Sequence, residues 1–214
     1  MGGFLTIVLL LIIGGVIYYF YKKNQALKET ENQGNKPYSK DELRIENVDK
    51  GGMIHLTHIG EDLEEFDANI IGKHVYRCGN DEWFELEGES ESGKVWIEVE
   101  EDDELLIAVT RNKMKLKDIS VSKEDLDKID EMEEGQVEYN GEKYHYDDSN
   151  EAEFLRYGDE NDSKRLYYWD FETENEQKVL SVEKWGKNDY EVYQANYIEP
   201  SQITVYKLNS KDND

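Results

Sequence analysis

The sequence predicts an all-β domain, an antiparallel sandwich or barrel, and three observations carry that expectation. Apolar residues alternate with polar ones over short runs, as where Val95, Ile97 and Val99 share one face and Lys94, Trp96 and Glu98 the other. Turn residues recur at roughly ten-residue spacing, the rhythm of an all-β fold. One of these turns is Asn140-Gly141 between the runs QVEY and EKYHY, the strongest two-residue hairpin signal because both residues accept positive φ.

From the N-terminus, residues 1–23 read as a membrane anchor. Phe4 to Tyr21 contains no charged residue, and at 1.5 Å per helical residue the run spans roughly 27 Å, about one hydrocarbon core. Tyr18, Tyr19, Phe20 and Tyr21 make an aromatic belt, and Lys22 and Lys23 follow at once. A cleaved signal peptide would carry a basic start and a small-residue cleavage site, and neither is present. The lysines after the run place the C-terminal domain on the cytoplasmic side. The expectation is a single-pass protein of the cell membrane, meeting the lipid bilayer through Phe4–Tyr21. Residues 24–42 read as a polar linker, 43–208 as the β domain and 209–214 as a disordered tail.

Within 43–208 further hairpin turns are expected at Gly79-Asn80-Asp81, Glu89 to Gly93 and Gly186 to Asp189. One segment departs from the pattern. Ser122 with Asp125 resembles a capping box, and Leu126, Ile129 and Met132 follow at helical spacing, which predicts a short helix over 123–133. The segments on either side, about 43–121 and 136–208, read as two similar halves. Val75–Gly79, Trp83–Glu87, Ile97–Glu100 and Ile119–Val121 recur in order as Phe154–Gly158, Tyr168–Glu172, Leu180–Glu183 and Ile203–Val205.

The formal net charge is −25, which repels nucleic acid and anionic headgroups and attracts cations, basic proteins or polyamines. The 15 tyrosines, 4 tryptophans and 6 phenylalanines exclude a disordered acidic tail. A lone Cys78 excludes an internal disulfide and reads as a small core residue. His55 and His58 stand three apart, on opposite faces of a strand, so no metal centre is expected from them, and His74 and His145 add no ligand spacing. No Gly-rich phosphate loop, nucleophile elbow or Cys/His dyad is present. The acidic runs Glu98–Glu104, Glu131–Glu134, Asp147-Asp148 and Asp159–Ser163 read as solvated faces and turns. Glu85, Glu98, Asp170 and Glu183 alternate with apolar residues and are expected on outward strand faces; a cleft gathering them is the other arrangement their spacing allows.

No catalytic, cofactor-binding or metal-binding residue is therefore expected, and the chain is read as a non-enzyme. Trp83, Trp96, Trp169 and Trp185 are the candidate partner contacts, since aromatic side chains left on the outer face of a strand anchor protein interfaces. The first reading is a membrane-held module that binds another protein. The alternative is a small-ligand or cation-binding domain, or an enzyme, with a carboxylate-lined pocket between the two halves that takes a polyamine or a divalent cation such as Ca²⁺.

Two of the runs also resemble a known family. Glu82-Trp83-Phe84-Glu85-Leu86 followed by Val95-Trp96-Ile97-Glu98-Val99-Glu100 is similar to the paired strands of the bacterial domain of unknown function family 4178. The late Tyr190-Glu191-Val192-Tyr193 and Tyr197-Ile198-x-Pro200 fit its C-terminal pattern. Phe84 and Ile97 stand where that family often has Tyr and Leu. The resemblance covers roughly residues 43–208, and its motifs are packing motifs that name no chemistry. It implies a role at the inner face of the membrane, in a membrane-stress or polyamine-related system, because members are often encoded beside such proteins. It supplies no catalytic residue.

Overall fold

Most strands carry apolar residues on one face and polar or aromatic residues on the other, and where the strands close into a ring the fold finds a separate interior for each face. The computed structural model describes residues 42–209 apart from 102 and 103, so the expected anchor, most of the linker and most of the tail lie outside the described residues. Among the described residues no helix is long and apolar enough to cross a membrane.

The strands are β1 (Met53–Ile59), β2 (Glu64–Cys78), β3 (Asp81–Ser90), β4 (Gly93–Glu101) and β5 (Leu105–Met114), then β6 (Gln136–Tyr139), β7 (Glu142–Leu155), β8 (Ser163–Thr173), β9 (Lys178–Lys184), β10 (Tyr190–Tyr197) and β11 (Ile203–Lys207). They form one antiparallel sheet in the order β11-β1-β2-β3-β4-β5-β10-β9-β8-β7-β6. A further pairing of β2 with β7, Val75 to Arg77 against Leu155 to Glu153, closes eight of these strands into a ring. The described residues thus form a barrel with side flaps. β1 and β11 extend from β2, and β6 extends from β7. The order is symmetric: β1–β5 and β6–β10 are meanders of the same course, joined at the seams β5–β10 and β2–β7.

Local signals account for the connections. Asn140 and Gly141 take positive φ (51° and 81°), and Tyr139 pairs with Glu142 across them. Gly79 takes φ 61° between the paired Cys78 and Asp81. α1 runs Lys123–Met132. Ser122 Oγ accepts from the Asp125 amide at 3.2 Å, and the Asp125 carboxylate accepts from the Ser122 amide at 3.1 Å, so aspartate closes the box in place of glutamate. Leu126 and Ile129 are buried, whereas Met132 points to solvent at 64 % exposure; the helix ends there, its cap Glu133 being left-handed.

Three of the repeated blocks occupy equivalent places: the ends of β2 and β7, β3 and β8, and β4 and β9. The fourth does not. Ile203–Val205 is β11, while Ile119–Val121 is a turn leading into α1, with Ser120 at φ 56°. A helix replaces the flap strand there.

Two apolar cores lie outside the ring. Leu86, Val95, Ile97, Val99, Ile107 and Val109 pack beneath β1 and β11, against Ile54, Leu56 and Val205. Trp169, Phe171, Leu180, Val182 and Val192 pack beneath α1 and β6, against Leu126, Ile129 and Val137. Each fully buried side chain of this kind contributes about 1.5–3 kcal/mol. The two long strands serve both interiors. β2 shifts register between Ile70 and Gly72, so Ala68 and Ile70 face the first core whereas His74 and Tyr76 face the barrel. β7 does the same between Tyr146 and Asp148: Tyr144 and Tyr146 face the second core, Ala152 and Phe154 the barrel. One extra residue in each strand makes the switch.

Candidate functional site

The inner face of the ring is the face that strand periodicity marks as polar. In an open sheet it would be solvated. Closure turns it into a lumen, and an eight-stranded barrel is just wide enough for side chains to fill or for one small ligand.

Glu85 on β3 lies directly opposite Glu98 on β4. Asp170 on β8 lies opposite Ser181 on β9, whose hydroxyl donates to Asp170 Oδ1. Glu183 on β9 completes the group. It is 5 % exposed, and its Oε2 has no hydrogen-bond partner. Glu85, Glu98 and Asp170 are half-buried and line the same cavity of about 60 Å³, which Trp83, Trp96, Tyr168, Tyr193 and Tyr197 wall with rings. At the β2–β7 seam Tyr76 stacks on Trp83, centroids 5.4 Å apart, and Phe154 meets Trp185 edge-on at 5.2 Å, which makes that wall apolar.

Burial dominates the acid chemistry. A carboxylate removed from water and set beside other carboxylates holds its proton. Desolvation raises Glu85 to about 7, helped by Glu87 and Glu191 and opposed by Lys113. It raises Glu98 to about 8, helped by Asp170 and Glu85. It raises Asp170 to about 7 against the hydrogen bond from Ser181. Burial, with Glu85 beside it, pushes Glu183 well above the ordinary range. Glu85, Glu98 and Asp170 thus titrate near neutrality, and with Glu183 they exchange protons as one cluster rather than one by one.

At one end the lumen meets an open vestibule of about 710 Å³ whose lining includes Glu61, Glu104, Glu172, Glu176 and Glu199. Tyr197 belongs to both spaces and donates from its hydroxyl to Glu172 Oε1 at 2.8 Å. At the other end Lys113 stands against Tyr193.

The expected outward faces of Glu85, Glu98, Asp170 and Glu183 are therefore corrected. The strand alternation is as read, but the second face meets a lumen because β2 pairs with β7. The four tryptophans also turn inward: Trp83 and Trp96 wall the lumen, Trp169 is 3 % exposed in the second core, and Trp185 is half-buried with its Nε1 enclosed. His55 lies between Asp67 (2.8 Å) and Glu65 (3.0 Å) on the first flap. His58 is in the vestibule, His74 is buried against Phe154 and Tyr157, and His145 is exposed on β7. Cys78 is half-buried beside Trp83 and Tyr168. Among the described residues no three His, Cys, Asp or Glu side chains are placed to hold a metal ion.

A family model described as Domain of unknown function (DUF4178) matches residues 62–200, well over half of the chain. The chain belongs to this family. The match begins just before β2 and ends just after β10, so the DUF4178 signature contains all eight ring strands and leaves out the flap strands β1 and β11. No curated protein and no solved structure matches the chain.

Proposed function

We propose that this DUF4178 domain is a non-catalytic binding module that takes up the ammonium group of an aliphatic amine, polyamines being the class that fits. One observation carries this reading: Glu85, Glu98, Asp170 and Glu183, drawn from both halves, converge on one ring-walled lumen, and Glu183 Oε2 lacks a partner there. Buried carboxylates are costly unless paired with a cation. An ammonium supplies the charge and the donors, and the faces of Trp83 and Trp96 attract it as well. The cavity of about 60 Å³ suits a head group with a short stem rather than a drug-sized molecule. The acidic vestibule takes the remaining positive charges of a longer polyamine. The absence of a metal-like cluster among the described residues favours an organic cation over Ca²⁺.

Cation and proton compete for the same carboxylates, so uptake releases protons and strengthens as pH rises through 7–8. Phe4–Tyr21 holds the domain at the cytoplasmic face of the membrane in this proposal. The support for that is the uncharged run and the lysines after it. Binding of another protein through Trp83, Trp96, Trp169 and Trp185 is the weaker reading, since all four rings turn inward.

Calorimetric titration of the full chain in mild detergent with butylamine, spermidine and Ca²⁺ tests the proposal. We expect saturable spermidine binding with proton release, no comparable Ca²⁺ signal, and at least about a tenfold weaker affinity in Glu98→Gln/Asp170→Asn. Equal spermidine binding by that double variant would move the interaction to the acidic exterior and overturn the lumen site.

A further inference from the structure

The lumen already holds one positive charge of the chain's own. β5 and β10 pair Thr110 with Ala195 and then Lys113 with Tyr193, so β5 spends one more residue than β10 between these pairs. Regular alternation from the inward Thr110 would send Lys113 outward. The bulge at Arg111 and Asn112 restores it to the inner face, which is how bulges re-aim a side chain. There the Lys113 ammonium lies 5.0 Å from the centroid of Trp96 and 5.4 Å from that of Tyr193, and donates to Glu191 Oε2 at 2.9 Å. Burial would lower its affinity for its proton, but Glu85 nearby and the hydrogen bond it donates to Glu191 outweigh that and keep it a cation. Two aromatic faces and a carboxylate around an ammonium make the kind of cage that recognises organic amines.

We infer that Lys113 is a tethered stand-in for a second ligand ammonium, filling the end of the lumen opposite the vestibule and so setting both the length and the charge of the amine the site accepts. This rests on the amine-binding reading above. Tyr197, paired with Ala108 at the vestibule end, and Tyr193, paired with Lys113 at the other, are four residues apart on the unbulged β10, roughly 13 Å. With Lys113 in place, a ligand entering past Tyr197 lodges one ammonium among the four carboxylates and stops short of the Trp96–Tyr193 cage. Without it, a diamine threads further and places its second ammonium in that cage, beside Glu191.

The test compares butylamine, putrescine and spermidine on the full chain and on Lys113→Met, which keeps the stem and removes the charge, with Lys113→Gln as a second variant should Met disturb packing. Trp fluorescence reports the vacated cage. The expected result is a rise of at least about tenfold in the preference for putrescine and spermidine over butylamine in both variants, with a changed Trp emission. If the wild type binds amines and neither variant alters that preference, the stand-in role is overturned while the binding site survives. If the wild type ignores every amine but Lys113→Met binds diamines, the wild-type lumen is self-occupied, and the stand-in role holds while the parent reading fails for the native chain. Silence from all three proteins ends both.

Discussion

The outer cores and the lumen are built on the same strands, and they answer to different rules. On β3, Leu86 is fully buried in the first core, and its neighbour Glu85 faces the lumen. On β8, Phe171 is fully buried in the second core, and Asp170 faces the lumen. The outward positions hold close-packed apolar side chains whose burial drives folding. The inward positions hold carboxylates whose burial works against folding. A polar interior of that kind persists where stability comes from elsewhere, and here two flanking cores supply it.

That contrast is open to direct tests. Phe171→Ala and Leu86→Ala should each lower stability by about 2–5 kcal/mol, read from chemical denaturation midpoints, because each leaves a cavity in a core that cannot collapse. Glu98→Gln/Asp170→Asn should change stability at neutral pH by only about 1 kcal/mol or less, or raise it, while weakening amine binding. A large loss of stability in the double variant would mean that the lumen carboxylates hold the ring together.

The lumen and the outer cores also differ in their response to pH. Glu85, Glu98 and Asp170 bind their protons more tightly folded than unfolded. The native state therefore holds extra protons between about pH 4.5 and 8, so the contribution of these groups to stability is fully present below the unfolded carboxylate range and is lost as pH rises through 7–8. The melting temperature should fall across that window, and Glu98→Gln should flatten the fall. Substitutions in the outer cores should shift the curve without changing its slope. Smallest of all, Ser122→Ala should cost about 1 kcal/mol through the lost N-cap of α1, and breaking the exposed Arg165–Glu151 pair about 0–1 kcal/mol.

Much of this molecule follows from neighbouring residues alone. The all-β class, the Asn140-Gly141 hairpin, the Ser122 cap and the two-fold order of the strand motifs each depend on interactions within a few residues, so they are legible in the sequence. The site was half legible. Glu85, Glu98, Asp170 and Glu183 stand out as the polar partners of apolar strand positions, but their spacing is equally that of a solvated face. The face switches in β2 and β7 left no trace, because buried residues recur at even positions through β2 from Ala68 to Tyr76 although Ile70 and His74 serve different interiors. Lys113 was hidden for the same reason: only the register against β10 reveals the bulge that turns it inward.

Composition and local pattern determined that this chain makes short antiparallel strands, where most of them turn, where the α-helix Lys123–Met132 starts and that its charge repels nucleic acid. Whether the second face of those strands meets water or a closed lumen was decided by tertiary structure, through the contacts of β2 with β7 and of β5 with β10. Those strands lie about 80 residues apart in the chain, and alternation within a strand is identical in an open sheet and a closed one. The chemistry of the four carboxylates depends on that closure, because the proton affinity of a carboxylate is set by the solvent it can reach.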